Sequence, residues 1–226
     1  MTSQTTSSAS PLILDRASQM ALANEFLRRT AALVMRESAT TGGAAIQWPG
    51  RFDSSWAQRL PLPIGEHRQP GQTIALASGL QFDRPDDPAV AMATRPRTQI
   101  YESVEVRSEG NWWIKSVVEQ LMRLTRVEVV CSIYASERRA ATLNRHCDLW
   151  NGLLLQVSGE KTIELWTPDG LTSQIITMRP GDVLWLPYKV PHNMWTNDHS
   201  VHVQFAMLIE KPLALKEFLR PPEYPD

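Results

Sequence analysis

Three residues of the sequence have the types and the spacing of a metal site. His146 and Asp148 are separated by one residue, so in an extended strand their side chains point to the same face. His192 lies 46 residues after His146, behind an apolar run and a proline-flanked turn. Two imidazoles and one carboxylate on one face are typical of non-haem Fe(II) oxygenase sites, which keep positions open for a chelating cosubstrate and O2. Taken alone, each residue also fits an ordinary hydrogen-bonded pair or a turn histidine.

A lysine near this group adds to the pattern. In the stretch 161–166, alternation places Lys161 on the same strand face as the apolar Ile163 and Leu165. A buried ammonium group is unfavourable unless an anion meets it. Two interpretations stay open: Lys161 extends its ammonium group into solvent from the start of the strand, or it pairs with the carboxylate of a ligand.

The elements that must position these residues are short strands in the second half of the chain. Gly, Pro, Asp and Asn separate the runs at intervals of roughly ten residues, with hairpin turns expected at 158–160 and 180–182. This spacing favours a mainly β fold, an antiparallel jelly roll, over an α/β fold. The expected strands are Val127–Tyr134, Leu153–Val157, Lys161–Trp166, Gln174–Met178, Val183–Leu186 and Val201–Leu208.

The first half of the chain is expected to flank this core. Residues 1–12 lack residues to bury and are expected to form a disordered lead. Apolar residues at three- and four-residue steps predict a helix from Asp15 to about Glu37, and a shorter one over Ser116–Thr125. Residues 44–100 are proline-rich and are expected to wrap the core as loops. The expected organisation is an N-terminal region 13–126, a core 127–210, and a C-terminal helix (Leu213–Leu219) and tail in 211–226.

Composition excludes several classes of protein. The 226 residues carry 23 Lys and Arg against 24 Asp and Glu, a net charge of −1, which argues against nucleic-acid and membrane-surface partners. No run approaches the roughly 18 apolar residues of a membrane span, and the N-terminus does not resemble a secretory signal. Two cysteines cannot build a disulfide framework, so a cytoplasmic location is expected. The amphipathic stretch 15–37 suggests a homodimer.

Several segments together resemble the JmjC/cupin-like 2-oxoglutarate oxygenases. The similarity lies in His-Cys-Asp at 146–148, Leu-Leu-Leu-Gln-Val-Ser-Gly-Glu-Lys at 153–161, Pro-Gly-Asp-Val-Leu-Trp-Leu-Pro at 180–187 and Val-Pro-His at 190–192. It covers roughly 127–208 and points to the branch with the asparaginyl hydroxylase of the hypoxia response and small bacterial cupin-like hydroxylases. In that branch the cosubstrate lysine follows the first metal histidine by fifteen residues, the interval from His146 to Lys161.

The resemblance implies a double-stranded β-helix (jelly-roll/cupin) core with flanking α-helices, and a specific set of roles. His146, Asp148 and His192 would bind Fe(II), and Lys161 would hold the distal carboxylate of 2-oxoglutarate. The further contacts that it suggests for the cosubstrate are Gln204, Thr142, Tyr134 and Asn144. His202 shares a strand face with Gln204 and is either a neighbour of the site or a plain strand residue.

The implied activity is that of an Fe(II)- and 2-oxoglutarate-dependent dioxygenase, a hydroxylase of a small molecule or of an amino-acid or peptide substrate. O2 is the second cosubstrate, and succinate is the product of 2-oxoglutarate. Two alternatives remain. One is a cupin-type metalloenzyme, an isomerase or a dioxygenase, that does not use 2-oxoglutarate. The other is a non-catalytic binding module with the same fold.

Overall fold

The computed structural model describes residues 14–39, 43–64, 74–78, 81–83, 90, 93, 97–107, 110–140, 142–167, 169–209 and 219–220. Its helices are α1 (Arg16–Ser38), α2 (Ser54–Gln58), α3 (Val104–Arg107) and α4 (Trp112–Thr125). Its strands are β1 (Ile46–Trp48), β2 (Ile74–Ser78), β3 (Gln81–Asp83), β4 (Thr98–Tyr101), β5 (Val129–Ser136), β6 (Cys147–Asp148), β7 (Trp150–Gly159), β8 (Lys161–Trp166), β9 (Ser173–Met178), β10 (Val183–Leu186), β11 (His192–Trp195), β12 (Ser200–Leu208) and β13 (Leu219–Arg220).

The strands form two main antiparallel sheets. The larger sheet has eight strands in the order β1-β10-β7-β12-β5-β4-β2-β3, and the smaller has three in the order β11-β8-β9. Strands β6 and β13 form a separate pair. In the larger sheet β7 lies between β10 and β12, and the consecutive strands β7 and β8 lie in different sheets, as in a jelly roll. The mainly β fold predicted from the sequence is confirmed.

Strand β7 packs against the helices on one face and the smaller sheet on the other, so both of its faces are buried. Leu153 and Leu155 belong to an apolar cluster that also contains helix residues such as Phe26 and Trp113. Leu154 points the other way and packs with residues of the smaller sheet, among them Ile163. Side chains of a strand alternate between faces, so this continuous apolar run separates a helix layer from the interior between the sheets.

Helix α1 packs its apolar face onto its own chain. The Asp15 carboxylate caps the helix by accepting a hydrogen bond from the Ser18 amide at 2.7 Å. Further along, the ring of Phe26 lies 5.5–6.0 Å from the rings of Phe52, Trp113 and Phe205. The face that motivates the homodimer is therefore used within the subunit, and the homodimer stays a prediction.

Two tight turns at the ends of core strands require glycine. Gly159 (φ +63°) ends β7 just before β8, and Gly181 (φ +94°) precedes β10, at the positions where the sequence predicts turns. A Cβ on Gly181 would lie 2.1 Å from the carbonyl oxygen of Phe52. The carboxylate of Asp182 fixes the same turn by accepting the amide hydrogens of Gly50 and Arg179 at 2.6 and 2.8 Å.

The structure differs from the sequence prediction on either side of the core. The segment 44–100, expected to be loops, supplies β1, β2, β3 and most of β4 to the larger sheet. These strands have only three to five residues, too short to show alternation between prolines. Helix α4 begins at Trp112, four residues before its predicted start.

At the C-terminus, Leu219 was expected to end a helix and instead belongs to β13, which pairs with the strand that carries Asp148. The rest of that predicted helix and the predicted disordered lead 1–12 lie outside the described residues. Within the described ranges, no helix has the length and apolar character needed to span a membrane.

Candidate metal centre

His146, Asp148 and His192 meet between the two sheets. His146 and His192 form an isolated antiparallel β-bridge. The His146 amide donates to the His192 carbonyl at 3.0 Å, and the His192 amide donates to the His146 carbonyl at 2.9 Å. Asp148 Oδ1 lies 3.5 Å from His146 Nε2, and Oδ2 lies 3.9 Å from His192 Nε2. The ligand atoms of all three residues lie within 4.8 Å of one another, and all three residues are buried.

The backbone fixes which nitrogen of each imidazole faces the centre. His146 Nδ1 lies 2.8 Å from the Asn144 carbonyl, and His192 Nδ1 lies 2.9 Å from the Val190 carbonyl. A carbonyl oxygen only accepts hydrogen bonds, so each Nδ1 carries a hydrogen, and in the neutral ring each Nε2 presents a lone pair. This is the second-shell arrangement that orients histidines in metal sites.

The electrostatics of the three residues also suit a metal ion. Burial and the nearby His146 lower the pKa of His192 to about 4, so its ring is neutral. Burial lowers the pKa of His146, but the Asp148 carboxylate 3.5 Å from its Nε2 outweighs burial and raises that pKa. When His146 is protonated, the added proton lies on Nε2, and a metal ion competes with that proton for the nitrogen.

The hydrogen bonding of the Asp148 carboxylate indicates whether a metal ion fits the site. Asp148 Oδ1 is buried and accepts no hydrogen bond from the described residues. Gln204 Nε2 donates to the other oxygen, Oδ2, at 3.4 Å. A buried anionic oxygen without a donor is costly, and a cation held by two imidazole nitrogens and this oxygen would compensate it. The donor set of two nitrogens and one oxygen suits Fe(II) and related divalent ions.

Lys161 lines the same cavity as the three ligands. It lies in β8, where Lys161, Ile163 and Leu165 are buried and the intervening residues are not, as alternation predicts. Only 4% of Lys161 is exposed, and its Nζ donates to Ser136 Oγ at 2.9 Å. Burial lowers the pKa of Lys161 to about 8. Across the described part of the chain, no carboxylate forms a salt bridge with this ammonium.

Two hydroxyl groups that the sequence did not indicate lie beside Lys161. Thr98 Oγ1, from β4, donates to Ser136 Oγ at 3.1 Å, and the two residues are direct cross-strand partners. Ser136 Oγ thus accepts from both Lys161 and Thr98, so its own hydrogen can be donated to a third group. The sequence offers no signal for this pair, because serine and threonine are common in strands and Thr98 falls in the segment expected to be loops.

Tyr134, His202 and Gln204 also line the cavity. Tyr134 and His202 are cross-strand partners on β5 and β12, and their rings are stacked with centroids 4.7 Å apart and planes 4° apart. Burial and the charge of Asp148 raise the pKa of Tyr134, so its phenol is neutral. The structure therefore brings Tyr134 and Gln204 to the same cavity as the three ligands and Lys161.

The remaining two predicted contacts lie on the segment before His146. Thr142 lines the cavity, and its hydroxyl accepts the Asn144 amide hydrogen at 3.1 Å. The side chain of Asn144 is exposed and does not line the cavity. Asn144 has a left-handed backbone (φ +57°), which aims its carbonyl at His146. Its contribution to the site is this carbonyl and not its amide group.

Comparison with known proteins gives the fold. No protein-family model matches the sequence, and no curated protein matches it. Among solved structures, a ribosomal oxygenase from Escherichia coli in complex with cobalt and 2-oxoglutarate is 13% identical, with a TM-score of 0.51 over 74% of this chain and 49% of that one. A Pseudomonas putida prolyl-4-hydroxylase is 14% identical, with a TM-score of 0.52 over 79% of this chain and 99% of that one.

At these identities the likeness concerns the fold alone. The chain spans about half the length of the ribosomal oxygenase and nearly the whole length of the prolyl hydroxylase. The chain therefore has the double-stranded β-helix architecture that both proteins share.

Proposed function

We propose that this protein is an Fe(II)- and 2-oxoglutarate-dependent oxygenase that hydroxylates a small molecule or an amino-acid or peptide substrate. The observation that carries the proposal is the buried ammonium of Lys161. It lies in the same cavity as a two-histidine, one-carboxylate cluster and has no carboxylate partner in the described part of the protein. A lysine with a purely structural role would be exposed or paired with a carboxylate of the protein. A lysine that binds a diacid has no such partner, because the ligand supplies the carboxylate.

His146, Asp148 and His192 are the residues that would hold Fe(II). When bound, the ion supplies the redox chemistry that couples conversion of 2-oxoglutarate and O2 into succinate and CO2 with hydroxylation of a substrate C–H bond. The chain's part is to fix the ligands: the Asn144 and Val190 carbonyls hold the two rings, leaving each Nε2 free to coordinate.

Lys161 would bind the distal carboxylate of 2-oxoglutarate. An anion beside the ammonium group favours its charged form, so binding compensates the cost of burial that lowers the pKa of this lysine. Ser136 holds Nζ at 2.9 Å and still has its own hydrogen to donate to the same carboxylate. The far end of the cosubstrate would then be anchored by two buried side chains.

The substrate would approach the remaining part of the cavity. Its lining includes the apolar side chains Leu143 and Met194, which suits the aliphatic C–H group of a substrate. The overall reaction is balanced, since one oxygen atom of O2 enters the substrate and the other enters succinate as 2-oxoglutarate loses CO2.

The test is anaerobic addition of 2-oxoglutarate to the Fe(II)-loaded protein, followed by the visible charge-transfer band of a chelated 2-oxo acid. The wild-type protein should give the band. Asp148→Ala should lose it together with the iron, and Lys161→Met should need a much higher 2-oxoglutarate concentration. Lys115→Met, at a half-buried position of α4 outside the cavity, is the matched control and should behave as the wild type.

Two other results would reject the proposal in different ways. Stoichiometric iron binding without a band would favour a cupin-type metalloenzyme that does not use 2-oxoglutarate. Absence of iron binding would favour a binding module.

A further inference from the structure

His202 is a buried residue in this cavity to which neither the metal site nor the lysine assigns a role. It lies on β12, lines the cavity and is only 3% exposed. Its ring lies flat against the ring of its cross-strand partner Tyr134, with centroids 4.7 Å apart. This stack fixes the plane of the imidazole and therefore the directions of its two nitrogens.

One ring nitrogen of His202 lacks a hydrogen-bond partner among the described residues. Nδ1 is buried and makes no hydrogen bond within the described ranges. A neutral imidazole has one donor and one acceptor, and buried polar groups of this kind are almost always satisfied in native proteins. A ligand in the cavity is the partner that would satisfy the ring.

His202 and Lys161 each contact a residue on the same face of β5. Tyr134 and Ser136 lie two residues apart on one face of β5, about 7 Å along the strand. His202 stacks on Tyr134, and the Lys161 ammonium is held by Ser136. Burial and the charge of Lys161 lower the pKa of His202, so a neutral ring faces a cation. A carboxylate beside Lys161 would therefore meet one full positive charge and one neutral N–H donor.

We infer that His202 donates a hydrogen bond from its ring to the same carboxylate that Lys161 binds, and that it makes the site selective for 2-oxo acids with a second, distal carboxylate. This inference rests on the proposed function, because the carboxylate is the distal group of 2-oxoglutarate. His202 is a binding and specificity residue in this role, and it takes no part in holding the metal ion.

The test compares two ligands that differ only at the far end. 2-Oxoglutarate and 2-oxopentanoate have the same five-carbon chain and the same 2-oxo acid group, but 2-oxopentanoate ends in a methyl group. Their dissociation constants are measured anaerobically by calorimetry on the Co(II)-loaded protein. The variants are His202→Phe, which keeps a ring on Tyr134 without nitrogen, and His202→Gln, which keeps an N–H donor.

Loss of a hydrogen bond to a charged group corresponds to a change of roughly 10- to 100-fold in affinity. His202→Phe should weaken 2-oxoglutarate binding by about this factor and leave 2-oxopentanoate binding within about twofold of wild type. His202→Gln should recover part of the lost affinity. If His202→Phe does not fold, as judged by thermal unfolding, His202→Leu replaces it with the same expectation.

Two outcomes would overturn the inference. Equal loss of affinity for both ligands would mean that His202 only supports the cavity, and no loss for either would mean that its ring does not reach the carboxylate. In both cases wild-type binding of 2-oxoglutarate would leave the proposed function standing. If the Co(II)-loaded wild-type protein bound no 2-oxoglutarate, the proposed function and the inference would both fail.

Discussion

Replacing Lys161 by methionine should make the protein more stable while strongly weakening its binding of 2-oxoglutarate. Burial lowers the pKa of Lys161 from 10.5 to about 8. This difference corresponds to about 3 kcal/mol against the charged form at neutral pH. Methionine has a similar length without the charge, and its main cost is the lost hydrogen bond from the ammonium to Ser136, about 1.5 kcal/mol. The net gain in the free energy of unfolding should be about 1–2 kcal/mol.

The size of the gain should depend on pH in a defined direction. Between about pH 8 and 10.5 the unfolded chain keeps the Lys161 proton while the folded protein has lost it, so wild-type stability rises with pH. Lys161→Met has no such proton. Its advantage over the wild type should therefore be full below pH 8 and shrink as the pH rises towards 10.5.

The assay is thermal and urea unfolding of the metal-free protein at pH 7 and pH 9.5. For a chain of this size, the gain at pH 7 corresponds to a rise in Tm of about 2–8 °C. Lys115→Met should give no comparable rise. A 2-oxoglutarate concentration that just saturates the metal-loaded wild type should raise its Tm, and should raise that of Lys161→Met much less. A Lys161→Met protein that is less stable than wild type at pH 7 would refute the view of Lys161 as an unpaired buried cation.

Three further substitutions test other parts of the structure. Asp148→Ala removes the anionic ligand, so Fe(II) affinity should fall by at least about 100-fold in a metal-binding titration; affinity within tenfold of wild type would contradict the assignment. Gln204→Leu removes the 3.4 Å contact to Asp148 and should weaken Fe(II) binding by about tenfold in the same titration, while an unchanged affinity would show that the contact is not needed. Gly181→Ala should lower the free energy of unfolding in urea by more than about 3 kcal/mol, because its Cβ would lie 2.1 Å from the Phe52 carbonyl oxygen. Gly50→Ala is its control, since Gly50 also has a positive φ but has open space, and it should cost only about 1 kcal/mol; equal losses would show that φ alone matters.

The sequence predicted the core of the site because that part depends on local rules. One intervening residue places His146 and Asp148 on the same face, and alternation in β8 places Lys161 with the apolar side chains. The Gly-Asp turn before β10 is also local, since it requires a positive φ at Gly181. These features follow from residues a few positions apart.

The rest of the site depends on contacts between distant parts of the chain. Thr98 reaches Ser136 only because β4 pairs with β5, and β4 is too short and too close to prolines to be recognised as a strand. For Asn144, the residue type suggested a role that the backbone conformation does not allow. Its side chain has the chemistry to contact a cosubstrate, but a left-handed backbone turns its carbonyl, not its amide, to the site.

The most direct test of the central claim is a crystal structure of the protein with Co(II) and 2-oxoglutarate, with the metal located by its anomalous signal. The account predicts one metal ion bound by His146 Nε2, Asp148 and His192 Nε2, and a 2-oxoglutarate whose distal carboxylate lies within hydrogen-bond distance of Lys161 Nζ. A metal ion bound elsewhere, or a cosubstrate whose distal carboxylate points away from Lys161, would contradict it.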